Sequence, residues 1–135
     1  PKHFAEHLIN LSWWSDIEKK FKKYGFQPPK VKTISIDLGI DLKVLEPTLK
    51  KALSFGYLIK ISENRYILST CFNEIVSLFE ETMKNDNIEK FTVKKFSQIT
   101  GITRNLSVEI LEYFDKKGFT KRLEEGRVII KSFKD

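Results

Sequence analysis

Sliding the sequence against itself by 62 positions lays LGIDLKVLEPTLKKALSFGYLIKISENRYIL, from residue 38, on TGITRNLSVEILEYFDKKGFTKRLEEGRVII, from residue 100, without a gap. Gly39 falls on Gly101, Ile40 on Ile102, Leu49 on Leu111, Gly56 on Gly118, Tyr57 on Phe119, Arg65 on Arg127 and Ile67 on Ile129. A chain of 135 residues built this way holds two copies of one small unit rather than one large domain. A solenoid needs about three or more stacked repeats to bury its faces, so two tandem domains are expected. We place the division near Ser69 to Phe72, with residues 1–69 as the first domain and 70–135 as the second.

Each copy follows the same order of signals. An amphipathic stretch comes first, with Trp14, Ile17, Phe21 and Tyr24 inward in one and Phe72, Ile75, Val76, Phe79 and Met83 in the other. Pro28-Pro29 and the polar KNDN at 84–87 are expected to end these helices. Short second helices, VKTISIDLG and VKKFSQITG, each stop at a glycine suited to a left-handed turn. Third helices are expected from Leu42 to Phe55, with Leu45, Leu49 and Leu53 inward, and from Leu106 to Lys117, with Ile110, Leu111 and Phe114 inward. Two strand-like runs close each copy around EN or EEG turns. Helix, helix, turn, helix and hairpin is the winged-helix pattern, and the fold class is α+β, mainly α, with two tandem winged helices.

The periodic apolar residues serve folding. Trp13 and Trp14 are adjacent and point about 100° apart on a helix, so one is expected in the core and the other at the surface or between units. His3, His7 and Cys71 have no partners at catalytic or ligand spacing, and one cysteine cannot form an internal disulfide. No phosphate loop, acid pair or nucleophile motif occurs, so an enzyme is not expected. No apolar run nears the roughly 18 residues of a membrane span. The sequence reads as a cytoplasmic chain, and its start at Pro1 suggests a piece of a longer protein.

The charge balance, 24 Lys+Arg against 18 Asp+Glu, suits an anionic partner but equally a soluble surface. Lys19, Lys20, Lys22 and Lys23 share a helix with Asp16 and Glu18 and read as a solvated face. The second copy differs in position rather than number. Arg104 stands at the start of its third helix, and Lys121, Arg122 and Arg127 lie on its hairpin, whereas the first copy has Leu42, Ile59, Lys60 and Arg65 at those places. Residues 88–135 hold 11 Lys+Arg against 7 Asp+Glu, which makes the C-terminal copy the candidate phosphate-contacting face.

The run FTVKKFSQITGITRNLSVEILEYFDKKGFTKRLEEGRVII, residues 91–130, resembles the last winged helix of the SelB family of bacterial selenocysteine-specific translation elongation factors. The matching residues are Phe91, Thr92, Val93, Phe96, Thr100, Gly101, Arg104, Leu111, Glu112, Tyr113, Asp115, Gly118, Thr120, Arg122 and Arg127. The first copy looks like the preceding domain of the same factors, with looser motifs. The resemblance implies a non-enzymatic, monomeric RNA-binding module that recognises the mRNA hairpin directing selenocysteine insertion and meets the ribosome through the full-length factor. It also implies a GTPase part elsewhere in that factor; GTP and magnesium would belong there, with no cofactor in this piece. Arg104, Arg122 and Arg127 would contact the hairpin, with Lys121 in place of a family arginine, and Lys94, Lys95 and Asn105 complete the expected RNA-binding set. Asn105 replaces a usual lysine, and Glu124-Glu125-Gly126 makes the wing turn more acidic than usual. Two other readings stay open on the residues alone: a DNA-binding tandem winged helix of a transcription regulator, and a protein-interaction module.

Overall fold

The structure is a computed structural model describing residues 11–133, so His3 and His7 lie outside the described residues. Contacts divide the chain into two units, the first ending at Cys71 and the second beginning at Phe72.

The first unit is built from α1 (Leu11–Tyr24), α2 (Val31–Leu38) and α3 (Leu42–Ser54), followed by the antiparallel pair β1 (Leu58–Ser62) and β2 (Arg65–Leu68). Trp14, Ile17 and Phe21 form the buried stripe of α1, as their three- and four-residue spacing dictates. Of the two tryptophans Trp14 is core, 8% exposed, and Trp13 is 51% exposed. The helix stops at Tyr24, where Gly25 takes φ +60°, three residues before the prolines expected to end it. Tyr24 donates to Asp37 at 2.7 Å, tying α1 to α2. Asp41 caps α3 by accepting from the Lys43 N–H. Leu45 and Leu49 are fully buried, but Leu53, expected inward, is exposed and Ala52 takes the inward place. Each step of four residues overshoots a turn by about 40°, so the third member of a four-spaced row has rotated off the core face.

The second unit takes α4 (Ser69–Asn85, inward from Phe72), β3 (Lys90–Phe91), α5 (Val93–Thr100), α6 (Arg104–Lys116), β4 (Thr120–Leu123) and β5 (Gly126–Ile129). Its core is aromatic. Phe114 is fully buried and meets Phe72, Phe96, Phe119 and Phe133 with ring centroids 4.7–6.4 Å apart, the range in which edge and offset contacts add to area burial. Both units therefore show the expected helices and hairpin. The period is visible in single backbone bonds: the Tyr57 N–H donates to the Ala52 carbonyl at 2.9 Å, and 62 residues on the Phe119 N–H donates to the Phe114 carbonyl at 3.0 Å.

One element differs from expectation. The second unit has a three-stranded sheet in the order β3-β5-β4, with Lys90 opposite Val128 and Phe91 opposite Arg127. At the matching places the first unit has Pro28 and Pro29, which lack the N–H groups a ladder requires, and its sheet has two strands. The close approach of β3 to β5 needs glycine at the turn. Gly126 has φ +143°, and a Cβ there would sit 2.6 Å from the Phe91 carbonyl oxygen. Gly126→Ala is expected to destabilise the second unit by about 1–3 kcal/mol, read by chemical denaturation; an unchanged midpoint would disprove the close contact.

Candidate nucleic-acid interface

The turn between α5 and α6 is fixed by its own small polar side chains. Gly101 takes φ +77° and donates to the Ser97 carbonyl. Ser97 Oγ and Ser107 Oγ both donate to the Ile102 carbonyl. Thr100 Oγ1 donates to the Phe96 carbonyl at 2.9 Å and accepts from the Ile102 N–H at 3.2 Å. The chain so aimed enters α6 at Arg104, two residues earlier than the sequence suggested, and Arg104 is exposed at the helix start. Thr92 caps α5 by accepting from the Lys95 N–H at 3.1 Å, which places Lys94 exposed in the first turn of that helix. Both helix starts carry N–H groups without intrahelical partners, a field that favours anions.

The wing supplies the third cation. Across the β4–β5 ladder Arg122 stands opposite Arg127 and Lys121 opposite Val128. Because successive residues of a strand face opposite ways, Arg122 shares a face with Thr120 and Lys121 points to the other side. Lys94, Arg104 and Arg122 line one open hollow, which Leu123, Glu124 and Glu125 close on the wing side. Lys95, Asn105 and Lys121 do not line it. Among the described residues no ion pair engages Lys94, Arg104 or Arg122. Three free cations thus face two carboxylates in the hollow, and the net charge there is small.

Arg127 is placed differently from these three cations. Expected to reach RNA, it is only 5% exposed and touches the hollow from beneath. Its Nη2 lies 3.1 Å from Asp115 Oδ2, and its Nε donates to both carboxylate oxygens at 3.3 and 3.1 Å. Thr120 Oγ1 donates to Asp115 Oδ1 at 2.6 Å. One edge of the guanidinium, Nε and Nη2, is thus engaged by Asp115 within the fold. Asp115 and Thr120 were legible only as motif positions. The hint to their role was the repeat, in which Leu53 occupies the place of Asp115.

The corresponding hollow of the first unit is chemically different. Lys60, at the place of Arg122, lies 3.8 Å from Glu63 and 6.0 Å from the Tyr66 ring, and Glu46 and Lys50 line the same recess. Burial first, then Glu46 and Glu63, push the Tyr66 hydroxyl's pKa up. Leu42 stands where Arg104 would be. Of the two equivalent faces, the second unit's is the one suited to anions.

Residues 84–129, the span that carries this hollow, match the family model described as the winged helix of elongation factor SelB. The second unit resembles the SelB winged helix. Over nearly its whole length the chain is also similar to selenocysteine-specific elongation factors. It is 28% identical to that of Haemophilus influenzae over 132 residues, 94% of this chain and 21% of the relative. The Desulfomicrobium baculatum factor is 27% identical over 115 residues, 85% of this chain and 18% of that one. The chain thus spans about a fifth of the length of the curated relatives it matches. Among solved structures, the mRNA-binding domain of elongation factor SelB from E. coli in complex with SECIS RNA aligns with a TM-score of 0.71 and 24% identity, covering 87% of this chain and 96% of that one. A bacterial selenocysteine-specific elongation factor EF-Sec aligns at 0.65 with 22% identity, over 86% of this chain and 18% of that one. The SelB likeness read from residues 91–130 holds, and the winged-helix fold with it. Among the described residues no helix is long and apolar enough to cross a membrane, and no group of three or more His, Cys, Asp or Glu is placed to hold a metal ion.

Proposed function

We propose that this chain is an RNA-binding module of a selenocysteine-specific elongation factor, and that its C-terminal winged helix binds the mRNA hairpin directing selenocysteine insertion. The observation that carries the reading is the coincidence of the SelB winged-helix match over residues 84–129 with the hollow of Lys94, Arg104 and Arg122. The SelB domain of E. coli whose fold it shares is in complex with SECIS RNA. The domains are residues 1–69 and 70–135, the module is monomeric and not itself catalytic, and the work is cytoplasmic. GTP, magnesium and the ribosome belong to the whole factor.

The major groove of A-form RNA is too deep and narrow for a recognition helix, so the target is engaged through loop bases and backbone. The small net charge of the hollow points the same way. Charge alone would give binding that any RNA satisfies and that salt abolishes, whereas fixed guanidinium groups on a shaped surface select geometry. The test is a titration of the chain with a SECIS hairpin, a scrambled hairpin and a DNA duplex at two salt concentrations. Hairpin-selective binding that persists at the higher salt is expected. Equal, salt-labile binding to all three would overturn the reading, and a preference for the duplex would turn it to DNA.

A further inference from the structure

We propose that Asp115 is a positioning residue for the RNA-binding face: through Arg127 and Thr120 it holds the wing against α6 so that Arg122 and Arg104 share one hollow. This rests on the RNA reading above. Arg104 opens α6 and Asp115 lies near its end, while Thr120 and Arg127 belong to the two strands of the wing. The carboxylate is therefore bound to the helix by the chain and to both strands by hydrogen bonds.

The repeat sets Asp115 beside its counterpart in the first unit. An arginine occupies this strand position in both units. In the first, Arg65 donates to the Pro28 carbonyl at 2.6 Å and the counterpart of Asp115 is exposed Leu53. In the second, the arginine's partner is a carboxylate on the third helix. Arg122 stands directly opposite Arg127 on the same face of the ladder. Two guanidinium groups so placed repel each other, and a buried unpaired cation is costly. Asp115 neutralises the inner one and leaves the outer one free to face a ligand.

Charge and positioning predict opposite signs. Asp115→Asn raises the net charge by one, so an electrostatic surface would bind RNA more tightly. If Asp115 positions the wing, hairpin affinity falls, by about tenfold, within the range of a lost base contact, while affinity for an RNA duplex of equal length stays level or rises. The unaltered chain and Asp115→Asn are to be titrated with a SECIS hairpin and that duplex over a salt series, folding being checked by circular dichroism. Hairpin affinity equal to or tighter than that of the unaltered chain, or an equal loss on both RNAs, overturns the proposal. A slope of affinity against salt that drops by about 0.7–0.9 in Arg127→Gln would also overturn it, because Arg127 would then be a phosphate contact. Should Asp115→Asn fail to fold, Thr120→Val keeps the ion pair and removes only one hydrogen bond. It is expected to weaken hairpin binding about two- to threefold, and no change counts against the proposal. If the unaltered chain shows no hairpin preference, the RNA reading fails first. Positioning is then judged by the Arg122 Nε–H resonance, which Asp115→Asn must shift, and an unmoved resonance overturns it.

Discussion

Phe114→Ala lowers the unfolding free energy of the second unit by about 3–5 kcal/mol, the cost of emptying a fully enclosed aromatic site. Phe114 is 0% exposed and its ring touches Phe72 from α4, Phe96 from α5, Phe119 at the base of the wing and Phe133 beyond it. No single neighbour can move into the space without leaving another contact, so collapse is limited. Chemical denaturation followed by circular dichroism and amide exchange measures the effect. Both tryptophans belong to the first unit, so their fluorescence reports on that unit while the substitution acts in the other. A loss below about 1 kcal/mol would show that the cavity refills and that the aromatic centre lies elsewhere.

Arg104→Ala and Arg122→Ala each weaken hairpin binding by about 1–3 kcal/mol if they make specific base contacts. The two side chains reach the same hollow from different elements, the start of α6 and the strand β4. Lys121→Ala is the internal control, because its side chain lies on the other face of the ladder; it is expected to change affinity by less than either arginine. Weakening that is uniform over all RNAs would assign a phosphate contact rather than a base contact. Unchanged affinity in both arginine variants refutes the placement of the site.

What the sequence disclosed and what it hid follow from range. The repeat was legible because helix periodicity, glycine stops and hairpin turns are local signals, each contained within a few residues. Arg104 was placed correctly at a helix start for the same reason. The pairing of Arg127 was not legible because it depends on Asp115, twelve positions earlier, reaching it only after α6 and the wing have packed. A count of arginines cannot register which of them are already neutralised. Strand β3 was missed because two residues carry no alternating pattern, and Pro28-Pro29 at the matching place gave the opposite signal. Leu53 was misplaced by treating a four-residue row as straight on a helix with 3.6 residues per turn. The site therefore became visible in part from residue positions and in part only from the tertiary pairing that sorts free cations from spent ones.

The Gly101 turn, with Ser97, Thr100 and Ser107 hydrogen-bonded across it, bears on the kinetics of capture. A loop that ordered only on meeting its ligand would slow association and charge part of the contact energy to its own immobilisation. Here that ordering is completed when the chain folds. Encounter then needs no rearrangement at the helix start, and the association rate is governed by diffusion, orientation and the modest field of Lys94, Arg104 and Arg122. On the RNA reading proposed above, discrimination between hairpins falls to the lifetime of the complex.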